Sequence, residues 1–192
     1  MITPNSARSA IMQAYSIDLH GGDDFTGVVG SSRASSTQKI ANQYEAGIVI
    51  AAVEALGNLR HWLLWAYGPY LWADRNQCIH GAFRLVSGVA EIDFEAMKEN
   101  KRVRTELMVL VCMDNYKALA VNGAKKYRKP AHFAAAVDRL SGGQHKINLT
   151  NYNRDYGYLE TLIDDVCAKL DATGLGPVAQ VLPRIAELQG AA

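Results

Sequence analysis

The sequence predicts an all-α protein, and three observations carry that expectation. Apolar residues recur at three- and four-residue intervals through most of the chain. Glycine, proline and Asn-Gly punctuation falls between those stretches. No segment alternates apolar and polar residues over strand length; Val28-Val29 and Ile48-Val49-Ile50 are the only β-like spots, and both are short. The expected architecture is a compact multi-helix domain over residues 36–192 with a helix-turn-helix-like unit, preceded by a flexible N-terminal arm over residues 1–35.

The arm is read from Gly21, Gly22, Gly27 and Gly30 followed by SSRASST. Ser36 or Thr37 is the expected N-cap of the first helix, since a hydroxyl there accepts from an otherwise unpaired amide. Ile40, Tyr44, Ile48, Ala51, Ala52, Ala55, Leu59 and Leu63 follow one helical face. Gly57 marks a weak point, and Gly68-Pro69 stops the segment because proline has no amide proton and restricts the residue before it. A second helix is expected from Tyr70 to Val86, with Leu71, Cys78, Phe83 and Leu85 among its apolar positions, and Asp93 caps a short acidic turn. Val103 to Val121 is apolar on nearly every side, which predicts a central helix closed by Asn122-Gly123. Pro130 opens the next helix, carrying Phe133, Ala134, Val137 and Leu140, and Ser141-Gly142-Gly143 turns it. A short last helix containing Pro183 is expected from Gly176 to about Leu188.

Composition bounds the function. Of 192 residues, 49% are hydrophobic, enough for a buried core. Cys78, Cys112 and Cys167 lie far apart with no CxxC pair, so neither a disulfide scaffold nor a cysteine-rich zinc site is expected. The longest apolar run, Trp62 to Ala73, is interrupted by Gly68-Pro69 and is too short for a bilayer. The start, MITPNSARSA, lacks an apolar targeting core. A cytoplasmic protein with no membrane partner is the expectation.

The net charge is +1, but its distribution is uneven. Lys98 to Arg154 holds twelve Lys/Arg against four Asp/Glu, a net of +8, and the rest of the chain is −7. A basic segment attracts nucleic-acid phosphates, although a solvated lysine-rich helix face reads the same way.

The segment INLTNYNRDYGYLETLIDDVCAKL, residues 147–170, lies at the end of that basic stretch. Leu149, Tyr152, Tyr156, Leu159, Ile163, Val166 and Leu170 are spaced 3, 4, 3, 4, 3 and 4, which predicts one buried stripe on a 22-residue helix. Asn148 or Thr150 caps it, and Asn151, Arg154 and Tyr158 share the opposite side. Preceded by the Pro130–Leu140 helix and a glycine turn, this outlines a helix-turn-helix whose second helix turns its polar start toward bases. Asparagine can pair with adenine and arginine with guanine. The expected DNA-binding residues are Asn148, Asn151, Asn153 and Arg154 for readout, with Lys125, Lys126, Arg128, Lys129 and Lys146 on phosphates. A helical hairpin whose polar residues face water gives the same pattern.

Three stretches give the chain a family resemblance: LRHWLLWAYGPYLW, KKYRKPAHFAAAVDRLSGG and NLTNYNRDYGYLETLIDDVCAKLDATGLGPVAQVL. The chain resembles phage late-gene antitermination proteins, the Q-type antiterminators, in the subtype without a zinc-binding cysteine cluster. The resemblance implies a helical cytoplasmic protein of the bacterial host cell. It would bind duplex DNA near a late promoter, engage a paused host RNA polymerase and let it read through terminators.

No enzyme constellation stands beside this. Cys78-x-His80 with Asp74 lacks a second ligand pair, so no metal is expected. His20-Gly-Gly-Asp-Asp24 lies in the glycine-rich arm without partner histidines. Ser87-Gly88 lacks the nucleophile-elbow pattern, and no phosphate-cradling glycine loop is present. Trp62, Trp65 and Trp72 are read mainly as core, with Trp72 the one to reach a partner. A non-enzymatic protein without cofactor is expected. The alternative to a DNA-binding factor is a phage-encoded helical adaptor or inhibitor that binds a host protein.

Overall fold

A computed structural model of the chain describes residues 2, 6–19, 35–69 and 75–190. The stretch 20–34, with His20, Asp23, Asp24 and most of the SSRASST run, and residues 70–74, with Trp72 and Asp74, lie outside the described residues.

The described chain is all-α. Its helices are α1 (Ala7–Leu19), α2 (Ser36–Glu54), α3 (Leu59–Tyr67), α4 (Arg75–Val89), α5 (Glu99–Asn122), α6 (Pro130–Leu140) and α7 (Tyr158–Gly190). A 3-10 turn, Leu149–Asn151, and a π-turn, Asn153–Gly157, lie between α6 and α7. The residues group into two units: residues 1–82 with 170–192, and residues 83–169.

In the first unit α1 packs on α2 and α3. Within the expected arm over residues 1–35 the described part differs from a loose segment: Ala7–Leu19 is helical, and Ile2, Ala10, Ile11 and Ala14 are fully buried. Its buried residues, Ala10, Ile11, Ala14, Tyr15 and Ile17, are interleaved with Ser9, Gln13, Ser16 and Asp18. The N-cap of α2 is Ser35, one residue before the expected pair, and its side chain accepts from the Gln38 amide at 3.2 Å.

The buried face of α2 also differs from the expected one. Asn42, Glu45, Ala46, Val49 and Val53 face the core, while Ile40 is 67% and Tyr44 54% exposed. Asn42 Oδ1 accepts from Gln38 one turn earlier at 3.4 Å, while Glu45 has partners distant in sequence. Glu45 accepts from the Ile2 backbone N–H at 2.8 Å and from the Gln189 amide at 3.0 Å. Those bonds offset the cost of burying a carboxylate.

Gly57 takes a left-handed φ of 58° in the turn between α2 and α3, the expected break. Gly68 ends α3 in an extended conformation ahead of Pro69. Trp62, Leu63, Leu64, Trp65, Ala66 and Tyr67 are all buried, so Trp62 and Trp65 are core residues as expected.

Beyond Lys169 the chain departs from the expected short terminal helix. α7 is continuous for 33 residues through Gly174, Gly176, Pro177 and Pro183. Leu170, Asp171, Gly174, Val178, Leu182 and Ile185 extend one buried stripe along it. The Gly174 Cα lies so close to Leu63 that an added Cβ would be 3.1 Å from its Cδ2. Tertiary packing here overrides four weak helix formers in ten residues.

In the second unit α5 buries Thr105, Met108, Val109, Val111, Cys112, Met113 and Asn115, the central helix that its sequence predicts. Gly123 caps it with a left-handed φ of 72°. Asp93 caps the acidic turn, accepting from the amides of Glu95 and Ala96, each at 3.1 Å. α6 has the expected bounds and packs on α5 through Phe133, Ala136 and Val137. It ends in a Schellman closure, with Gly143 N–H on Asp138 O at 2.8 Å and Gly142 N–H on Arg139 O at 3.2 Å.

Candidate nucleic-acid interface

The residues expected to contact DNA all belong to the second unit, on three pieces of irregular backbone. The first is the connection from α5 to α6. Its anchor is Tyr127, whose N–H donates to the buried Asn115 Oδ1 at 2.7 Å and whose hydroxyl donates to Asp114 at 3.2 Å. The Tyr127 ring rests against Phe133 at 5.6 Å. Held this way, the loop places Lys126 on Asp114 at 2.8 Å and Lys125 on Asp164 of α7 at 2.5 Å. The hydrogen bond to Asp114 raises the Lys126 ammonium above its ordinary range. Arg128 and Lys129 are exposed, Lys129 at the N-cap of α6. Arg128 donates a long 3.4 Å bond to the Lys125 carbonyl.

The second piece is the loop after the double glycine, where Lys146 is exposed. Among the described residues no carboxylate pairs with Arg128, Lys129 or Lys146.

The third piece is the polar start of the predicted readout helix, and here the structure departs from the regular α-helix expected from Leu149. Leu149–Asn151 is a 3-10 turn and Asn153–Gly157 a π-turn, and α-helix begins only at Tyr158. The apolar stripe is kept, with Tyr152, Tyr156, Leu159, Ile163, Val166 and Leu170 all buried, but Leu149 is 52% exposed. Phe133, Tyr152 and Tyr156 form an aromatic row with centroid separations of 6.3 and 6.4 Å. The Tyr152 hydroxyl donates to Glu160 at 2.7 Å. The wider π-turn around Gly157 lets both tyrosines stay inside, and such turns are frequent at functional sites.

The readout candidates separate accordingly. Asn148 is occupied, its Oδ1 accepting from the Thr150 amide at 2.9 Å as cap of the 3-10 turn. Asn151 is half-buried. Asn153 and Arg154 are exposed on the π-turn. Arg154 forks onto the next residue, Asp155, through Nε at 2.7 Å and a terminal nitrogen at 3.1 Å. That pairing raises the guanidinium and holds the Asp155 carboxyl below the usual carboxylate range.

The unit as folded is less basic than the segment. Residues 83–169 hold fourteen Lys/Arg and eleven Asp/Glu, a net of +3. Of the acids that lower it, Glu91, Asp93 and Glu95 come before the basic run and Asp155, Glu160, Asp164 and Asp165 just after it. Extending the charge count beyond both ends of the run finds them. Two basic residues of α5 that were not singled out also join the site. Arg104 acts electrostatically on the Tyr156 phenol, and Lys101 on Asp155.

For other chemistry, the described residues contain no group of three His, Cys, Asp or Glu able to hold a metal ion. The thiols of Cys78, Cys112 and Cys167 are buried. Burial, then Glu160 and Asp164, pushes the Cys112 thiol well above its ordinary range, away from the reactive thiolate. No helix of the described residues is long and apolar enough to cross a membrane. In comparison with known proteins, no family model, no curated protein and no solved structure matches the chain.

Proposed function

We propose that this protein binds duplex DNA through its second unit and acts, without catalysis or cofactor, as a transcription antitermination factor. The observation that supports DNA binding is the set of exposed cations with no carboxylate partner, Arg128, Lys129 and Lys146, on the same stretch of chain as the exposed Asn153 and Arg154. Unpaired cations release counterions from DNA on contact, while asparagine and arginine supply base recognition. The finer reading, a late-promoter element and a paused host RNA polymerase as partners, rests on the sequence resemblance to Q-type antiterminators.

The test is selection from a random duplex library followed by titration of the enriched sequence at several salt concentrations. A recovered consensus with a steep fall of affinity in salt is expected. Recovery of no consensus, with equally weak binding to every duplex, would remove sequence-specific recognition. Transcription past a terminator placed downstream of the consensus then tests antitermination itself.

A second reading, a helical adaptor or inhibitor of a host protein, is favoured by one observation. Ile40 and Tyr44 leave apolar surface exposed on α2 in the first unit. Loss of partner capture on Ile40→Ser, with DNA binding absent throughout, would select that reading.

A further inference from the structure

We infer that Asp155 occupies Arg154 in the geometry of a phosphate contact, so that DNA binding at the π-turn is an exchange of carboxylate for phosphodiester. The inference rests on the proposed DNA binding and adds how this contact is regulated. Arg154 meets both Asp155 oxygens through two N–H groups, at 2.7 and 3.1 Å. A guanidinium presents that same fork to two oxygens of a phosphate. The Arg154 side chain is 71% and that of Asp155 33% exposed, so the pair opens directly to solvent. Exposed pairs of this kind contribute little to stability, and an incoming phosphate therefore displaces the carboxylate at low cost.

The surroundings favour the exchange. Lys101 at the start of α5 acts electrostatically on Asp155, and Arg104 on Tyr156. A phosphate seated on Arg154 would sit in a field to which these two cations contribute. Asp155 then acts as an internal competitor. It weakens nonspecific backbone binding, leaving recognition to sites where enough other contacts form.

The test is anisotropy of a short labelled duplex of random sequence, across a salt series, for wild type, Asp155→Asn, Arg154→Ala, the double variant and Asp165→Asn. Asp165 is an exposed α7 carboxylate, so Asp165→Asn makes the same change of charge away from the pair. All these positions are on the surface, and unchanged melting temperatures check the fold. Asp155→Asn is expected to tighten binding several-fold and steepen the salt slope by about one. Asp165→Asn is expected to leave the slope as in wild type. The Asp155→Asn gain is expected to vanish in the Arg154→Ala background.

Equal gains from Asp155→Asn and Asp165→Asn, or a gain that survives Arg154→Ala, overturn the exchange while leaving DNA binding standing. If none of the five proteins binds duplex at any salt concentration, DNA binding itself falls, and the exchange with it. If only Asp155→Asn binds, the exchange holds, with Asp155 as a full block.

Discussion

The indole N–H of Trp62 donates a 2.8 Å hydrogen bond to Oδ1 of Asp171, 109 residues later in the chain. The other oxygen of that carboxylate accepts from the Tyr67 hydroxyl at 2.5 Å and from Arg8 at 2.9 Å. The Arg8 guanidinium in turn lies 5.3 Å from the centre of the Tyr67 ring. One buried carboxylate thus joins α1, α3 and α7 within the first unit. Asp171→Ala leaves two buried donors and an arginine without this acceptor, and is expected to cost about 3 kcal/mol in urea denaturation. Asp171→Asn keeps one acceptor oxygen and should cost about half as much. A loss below about 1 kcal/mol for the alanine variant would show that the donors find other partners.

Two helix glycines should respond to alanine with opposite signs. Gly47 in α2 is exposed, with nothing within 4 Å of an added Cβ. Gly47→Ala is expected to stabilise by up to about 1 kcal/mol, because alanine loses less backbone entropy in a helix. At Gly81 the added Cβ would lie 2.5 Å from His61 Cγ and 2.7 Å from its Cβ, the root of that side chain. Gly81→Ala is expected to destabilise by about 1–3 kcal/mol despite the same propensity gain. Thermal denaturation of both variants checks the pair.

Stability is expected to fall on the alkaline side. Burial, reinforced by Glu160, holds the Tyr152 phenol above its ordinary value of 10.0, and burial with Glu54 does the same for Tyr15. Burial raises the Cys112 thiol above 9.0. The folded protein keeps these protons after the unfolded chain has released them, so stability is complete below about pH 9 and declines above it. Urea midpoints at rising pH should show that decline, with a shallower one for Tyr152→Phe, which removes one of the three titrations. A flat profile to pH 11 would contradict the direction of these shifts.

The paired and unpaired cations of the proposed interface should behave differently. Lys129→Ala and Lys146→Ala are each expected to lower the salt slope of DNA binding by about 0.9. Lys126→Ala is expected to lower it less, because Asp114 already neutralises that ammonium. Equal losses at Lys126 and Lys129 would mean that the Asp114 pair opens fully on binding.

Where one apolar face is strong and continuous, local pattern and final structure agree. The bounds of α6, the buried positions from Tyr152 to Leu170, the centrality of α5 and its Gly123 cap follow from spacing, proline and glycine alone. Such features depend on interactions within a few residues, which a sequence displays directly. Where the apolar signal is weak, or where polar groups are buried, it misleads. α1 buries Ala10, Ile11 and Ala14 between polar residues, and α2 turns Glu45 inward, where Ile2 and Gln189 supply its hydrogen bonds, while Ile40 faces outward.

The candidate interface divides along the same line. The concentration of lysine and arginine between Lys98 and Arg154, and the polar run after the double glycine, are properties of the sequence. Which of those charges remain open is a property of the fold. Asp114 faces Lys126 across 12 residues and Asp164 faces Lys125 across 39, while the π-turn sets Arg154 on Asp155. Sequence by itself determined the all-α class, the bounds of α6 and the sign of the segment. Tertiary structure alone decided which cations are already neutralised, because Coulomb attraction depends on distance in space and chain separation does not reveal that distance.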